Sequence, residues 1–180
     1  MSDTVVELLR QALQARRDNR LDDAKRDLIE AVRLCREADA RLELARAVTR
    51  LGAIERDLQH GDAALEHYEE AVGIYRAEGD ALKLAHTVRH VGDIQREMGR
   101  ADLAEPCYRE ALDIYRNHAR TPPLDLANAI RGFALLNEQT GENDQARMLW
   151  EEARGLYSAL DLPAGVAESS RRLALLDRGS

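Results

Sequence analysis

Small and large apolar residues recur along this chain in a fixed register. Four stretches align without gaps: DDAKRDLIEAVRLCRE from Asp22, DAALEHYEEAVGIYRA from Asp62, DLAEPCYREALDIYRN from Asp102 and DQARMLWEEARGLYSA from Asp144. In each, an alanine is followed four residues later by a large apolar residue and three later by another alanine: Ala24-Leu28-Ala31, Ala64-Tyr68-Ala71, Ala104-Tyr108-Ala111 and Ala146-Trp150-Ala153. Steps of four and three keep such a triplet on one face of an α-helix. The leading alanine returns after 40, 40 and 42 residues. Twelve residues upstream of it stands another small residue, Ala12, Gly52, Gly92 or Ala134, and from the second repeat on it follows Val48-x-x-Leu51, Val88-x-x-Val91 or Ile130-x-x-Phe133. Runs of β-branched residues with period two are absent. A period of this length without strand patterning predicts an all-α solenoid with two helices per repeat, the first carrying the small residue where another helix comes close.

Punctuation places the helix ends. Gly61-Asp62, Gly99, and Gly141 with Asn143-Asp144 mark turns between paired helices. TPPLD offers Thr121 as a cap and prolines at a helix start, and it accounts for the longer third period. Pro163 opens a last, mostly polar helix, as a terminal cap requires. The expected repeats are 3–38, 41–78, 81–118 and 123–160, with a capping helix at 163–178, all in a single domain over 1–180. Pro106 falls about five residues inside its helix, where it removes a hydrogen bond and is expected to bend the axis.

The paired small and large positions resemble those of the tetratricopeptide repeat (TPR) family, whose signature combines Leu-Gly with Ala-x-x-x-aromatic and Ala. There are departures. The family's first aromatic is Val48, Val88 or Ile130, its next tyrosine position holds Glu55, Gln95 or Asn137, the closing proline is missing and the period exceeds 34 residues. The chain thus resembles the longer-repeat members, such as kinesin light chain-like and bacterial TPR proteins. The resemblance implies a right-handed α-solenoid, or superhelix, of four TPR helix pairs plus a C-terminal capping helix. It also implies a concave face, lined by the first helices, that binds peptides or proteins.

Composition narrows the chemistry. The opening residues have no basic stretch followed by an apolar core and cleavage site, and no segment approaches the length of a membrane span. Cys35 and Cys107 lie far apart inside helical patterns and are expected to be buried free thiols, which fits a cytoplasmic protein. No phosphate loop, dinucleotide fingerprint or nucleophile elbow is present, so we expect no enzyme and no cofactor. Paired acids such as Glu69-Glu70 and Glu151-Glu152 read as solvated surface. His86, His90 and Asp93 share a helix face at metal-ligand spacing, but Arg89 stands on the same face and opposes a divalent ion.

Five equivalent positions, taken from each first helix and the cap, test the concave face. They are Val6, Leu9, Arg10, Leu13 and Arg16; Arg46, Thr49, Arg50, Ala53 and Arg56; His86, Arg89, His90, Asp93 and Arg96; Asn128, Arg131, Gly132, Leu135 and Glu138; and Glu168, Arg171, Arg172, Leu175 and Arg178. The set holds eleven arginines and three acids, a formal +8, on a chain of net charge −7. A basic face on an acidic protein attracts anionic partners. The expected function is therefore a non-catalytic protein-interaction module that binds an acidic peptide or protein surface. Its groove residues are Arg46, Thr49, Arg50, Arg56, His86, Arg89, His90, Asp93, Arg96, Asn128, Arg131 and Leu135, with Leu9 and Leu13 as further apolar contacts. The alternatives are a metal site at His86, His90 and Asp93, a nucleic-acid binder using the same arginines, and a self-assembling scaffold pairing through the apolar TVVELL segment of the first helix.

Overall fold

The computed structural model describes residues 3–178. Nine helices and no strand occur among them: α1 (Asp3–Arg17), α2 (Leu21–Glu37), α3 (Arg41–Asp57), α4 (Gly61–Glu78), α5 (Ala81–Glu97), α6 (Ala101–Asn117), α7 (Pro123–Thr140), α8 (Asn143–Ala159) and α9 (Pro163–Leu176). Four helix pairs and a terminal helix are thus present, in the architecture that the repeat predicts. The chain divides into two compact units, one up to Thr87 and one from Val88 onward. In the first, α1 packs on α2, α2 on α3 and α3 on α4; in the second, α6 packs on α7, α7 on α8 and α8 on α9. Packing between sequence neighbours is what a repeat array requires, because one pair cannot bury its own apolar face.

The aligned triplets form the core. Ala24, Ala31, Ala64, Ala71, Ala104, Ala111, Ala146 and Ala153 are wholly inaccessible, as are Tyr108 and Trp150. The upstream small residues are buried as well. A Cβ on Gly52 would stand 3.2 Å from the Ala64 carbonyl oxygen and from the Tyr68 ring, and one on Gly92 would stand 3.1 Å from the Cβ of Cys107. The close approach of paired helices therefore rests on these glycines.

The turns follow one design that the glycines reveal only in part. Gly79, Gly99 and Gly141 adopt left-handed φ, but so do Asn19, Asp39, Gln59 and Asp161 at the equivalent points. Beyond each, an amide reaches back to a carbonyl of the last helical turn. Arg20 N–H donates to Ala15, Ala40 to Cys35, His60 to Glu55, Asp80 to Tyr75, Arg100 to Gln95, Glu142 to Asn137 and Leu162 to Tyr157, all within 2.8–3.1 Å. The connection before α7 differs: His118 is extended and Pro122 stands at the helix boundary with Pro123 first inside. Thr121 is not the cap we expected, because the helix begins two residues later and no side chain caps it. Pro106 lies within α6, which runs on to Asn117. Its missing N–H belongs to the sixth helical residue, so one backbone bond is forgone.

Surface charge also does more than solvate. Arg36 on α2 donates to both oxygens of Glu70 on α4 at 2.9 Å, and Arg116 on α6 grips Glu152 on α8 at 3.1 and 2.8 Å. Glu70 and Glu152 thus join successive second helices, where the sequence suggested solvated surface. Each such exposed pair adds on the order of 0–1 kcal/mol.

Candidate functional site

The first-helix positions divide between the two units. In the first, Arg46 and Arg50 are exposed, while Thr49 and Arg56 are half-buried. Arg50 donates through Nη1 to the Leu9 carbonyl at 3.2 Å, and the Thr49 hydroxyl donates to the Ala45 carbonyl at 2.7 Å. Leu9, expected to contact a partner, is instead core: α1 turns Val5 and Leu9 inward with Leu8 packed against them. That leaves Val6 and Leu13 as its exposed apolar residues. His86 is half-buried at the end of this unit.

In the second unit, Arg89, His90, Asp93 and Arg96 form one polar cluster, while Asn128, Arg131 and Leu135 lie on α7, the first two with other partners. Asp93 on α5 is buried, and its carboxylate accepts from Arg89 Nη1 at 2.7 Å and from the Tyr108 hydroxyl at 2.8 Å. Arg89 Nη2 lies 2.9 Å from His90 Nε2, and Arg96 Nε donates to the Tyr108 oxygen at 3.3 Å. Burial, followed by the adjacent Asp93 carboxylate, pushes the Tyr108 phenol far above its usual range, so Tyr108 acts as a permanent donor. Burial likewise raises Tyr115, which Arg89 opposes. On α7, Arg131 makes a bidentate pair with Glu168 of α9 at 2.7 and 2.8 Å, and this hydrogen bonding holds the Glu168 carboxyl below the ordinary glutamate value. Asn128 accepts from the Tyr157 hydroxyl at 2.9 Å, and Leu135 is half-buried.

This geometry changes the reading of the basic face. Arg10 pairs with Glu7, Arg16 with Asp57, Arg89 with Asp93, Arg131 with Glu168 and Arg172 with Glu138. Asp93, Glu138 and Glu168 are already subtracted in the formal +8, while Glu7 and Asp57 lie outside the set and lower it to +6; what the geometry adds is that these five arginines are each held by a carboxylate of the chain. The side chains of Arg89 and Arg96 keep only 11% and 13% of their exposure, whereas Arg131 keeps 39%. Asp93 is engaged by two donors, and no group of three His, Cys, Asp or Glu among the described residues is placed to hold a metal ion. Cys35 is buried as expected, but Cys107 is half-buried, with its thiol directed to the Leu103 carbonyl at 3.3 Å. No helix among the described residues is long and apolar enough to cross a membrane.

Sequence reading missed three parts of the site. Gly132, picked only as one of five helix positions, lies under Tyr108: a Cβ there would meet its ring at 2.6 Å and Asp93 Oδ1 at 3.0 Å. Gly165 seats the Tyr157 ring, which a Cβ would meet at 2.5 Å. The third is a cleft of about 490 Å³ beside α6, α7 and the start of α8, with Phe133 and Asn137 in its lining. A glycine inside a helical pattern was the available signal for the first two.

A family model described as tetratricopeptide repeat matches residues 43–117. No curated protein matches the chain. Among solved structures, BtubC (BKLC) from P. vanneervenii is 20% identical, with TM-score 0.76 over 83% of this chain and 61% of its own. Aspartyl phosphate phosphatase F from Bacillus subtilis is 13% identical, with TM-score 0.87 over 98% and 46%. A putative kinesin light chain with nearly identical TPR-like repeats, from Podosopora anserina, is 13% identical, with TM-score 0.80 over 99% and 88%. The chain therefore spans about three fifths or less of the first two proteins. At these identities the likeness concerns the fold. With the recurrent Gly/Ala register, the family match shows that the chain contains tetratricopeptide repeats over residues 43–117.

Proposed function

We propose that this chain is a non-catalytic, cytoplasmic interaction module whose first-helix surfaces receive an acidic segment of a partner protein. The supporting observation is Arg131. Its guanidinium is partly exposed and already forks onto a carboxylate, Glu168, in the bidentate geometry that a partner's Asp or Glu would use. Arg171 is exposed and Arg172 is half-buried on the neighbouring helix. In the first unit, Arg46, Thr49, Arg50 and Arg56 offer a second contact surface. His86, His90, Asn128 and Leu135 would serve as half-buried flanking contacts. Arg89, Asp93 and Arg96 act mainly beneath the surface, because they are largely enclosed: Asp93 and Arg96 hold Tyr108, and Arg89 holds Asp93.

The test is fluorescence anisotropy with a labelled peptide of alternating Glu and Ala. Arg131→Gln should weaken binding about 5–30-fold, the equivalent of ~1–2 kcal/mol. Glu168→Gln should strengthen it, since the internal competitor is gone, and both effects should shrink in high salt. A peptide with Gln in place of Glu binding equally well would refute the acidic-partner reading.

A further inference from the structure

The cleft in the second unit has a composition opposite to that of the first-helix surface. Asp102, Glu105 and Glu142 contribute three carboxylates against one guanidinium, Arg109, and Phe133 forms an aromatic wall. Among the described residues, the Asp102 and Glu142 carboxylates pair with no cation of the chain. Asn137, also in the lining, is only 7% exposed; its amide nitrogen donates to the Phe133 carbonyl at 2.8 Å, while its Oδ1 accepts no hydrogen bond from the described residues. That oxygen is an acceptor left open in the lining of the cleft, where an incoming donor can reach it.

The chain itself shows which group suits this place. The Arg109 guanidinium lies over the Phe133 ring, 5.5 Å from its centroid, and donates to Glu105 at 2.9 and 2.7 Å. Arg109 is a surface side chain, 66% exposed, so its hold on the ring is of the weak, exposed kind. We propose that this cleft binds an arginine side chain from a basic segment of a partner protein. The incoming guanidinium displaces Arg109 from Phe133, donates to Asn137 Oδ1 and is neutralised by Asp102 and Glu142. A guanidinium fits better than an ammonium, because its fan of five donors reaches separate acceptors while its plane lies on the ring. A volume of about 490 Å³ lies within the usual ~300–1,000 Å³ range of small-molecule sites, so it has room for a guanidinium and its stem.

This surface and the acidic-partner surface use different residues, so each can fail alone. The probe is a fluorescein-labelled Gly/Ser peptide with one central arginine, titrated by anisotropy against the full chain, with citrulline, lysine and free agmatine as comparisons. Arginine should bind at least tenfold more tightly than citrulline and more tightly than lysine. Asp102→Asn with Glu142→Gln should weaken binding at least tenfold. Glu69→Gln with Glu151→Gln, an equal charge change at exposed positions outside the cleft, should alter it less than twofold. Arg109→Gln should tighten binding several-fold by vacating Phe133. Equal weakening by the two double variants, equal binding of citrulline, or weaker binding by Arg109→Gln would overturn the proposal. Agmatine binding as tightly as the peptide would overturn the assignment to a partner protein.

Discussion

Adding one methyl group at two helical glycines of the second unit should move stability in opposite directions. Gly155 on α8 has nothing within 4 Å of an added Cβ, so Gly155→Ala adds only helix propensity, about 0.5–1 kcal/mol. Gly132→Ala gains the same propensity but places a carbon 2.6 Å from Tyr108 Cε1 and 3.0 Å from Asp93 Oδ1. Carbon atoms rest at about 3.5–4.0 Å, so the ring must move by roughly 1 Å. Tyr108 is wholly inaccessible, stacks on Phe133 at 5.9 Å and donates to Asp93, so it has nowhere to retreat without loosening that bond. Overpacking costs about 1–3 kcal/mol, and weakening a hydrogen bond to a charged acceptor costs up to about 1.5–3 more. After subtracting propensity, the expected net loss is about 1–3 kcal/mol.

The assay is a melt followed by circular dichroism, with urea midpoints as a second measure. At about 2–4 °C per kcal/mol for a chain of this size, Gly132→Ala should lower Tm by roughly 2–12 °C, whereas Gly155→Ala should raise it by roughly 1–4 °C. A rise in Tm for both would refute the reasoning, since it would mean that Tyr108 yields freely and that the cluster around Asp93 is loosely packed.

Three further expectations concern turns and titration. Gln59 holds φ of +64°, so Gln59→Gly should stabilise the first unit by about 0.5–2 kcal/mol, seen as a higher urea midpoint. Glu55 is buried, which pushes its carboxyl up, but hydrogen bonds from Lys25 and His60 outweigh this and hold it below its ordinary value. A depressed carboxyl contributes stability that is full above about pH 4.3 and is lost as pH falls through the lower folded value; Glu55→Gln should flatten that acid limb in pH-dependent urea denaturation. Burial pulls the His67 imidazole below its ordinary value of about 6.5, so its NMR titration midpoint should lie lower, and protonating it on acidification should cost stability.

The repeat was legible because each small residue has one geometric duty, and forty-residue recurrence made it visible against a background of Ala, Leu, Glu and Arg. The turns were half legible: glycine announces left-handed φ, whereas Asn19, Asp39, Gln59 and Asp161 adopt it under the same backbone bond without a residue type that demands it. Polarity of the first-helix face was the least legible. A count of charges along separate helices does not show which of them pair across helices, and Arg16–Asp57 and Arg131–Glu168 join residues 41 and 37 positions apart. The cleft was invisible for the same reason, since α6, α7 and α8 each supply a few residues that carry no signature in their own helix.

One repeat position shows how the array keeps its fold while its surfaces diverge. Glu55, Gln95 and Asn137 occupy the same place, where the family resemblance leads one to expect a tyrosine, and all three are buried. Their main chains do identical work, because each carbonyl accepts the amide that closes the following turn, at 2.8 Å every time. Their side chains do not. Glu55 gathers Lys25 and His60 around one carboxylate, while Asn137 satisfies its nitrogen on the Phe133 carbonyl and lines the cleft. The turn needs only the backbone at this position, so the side chain is released from the architecture and can differ between repeats. An array built this way can change what each repeat recognises without changing the spacing of its helices.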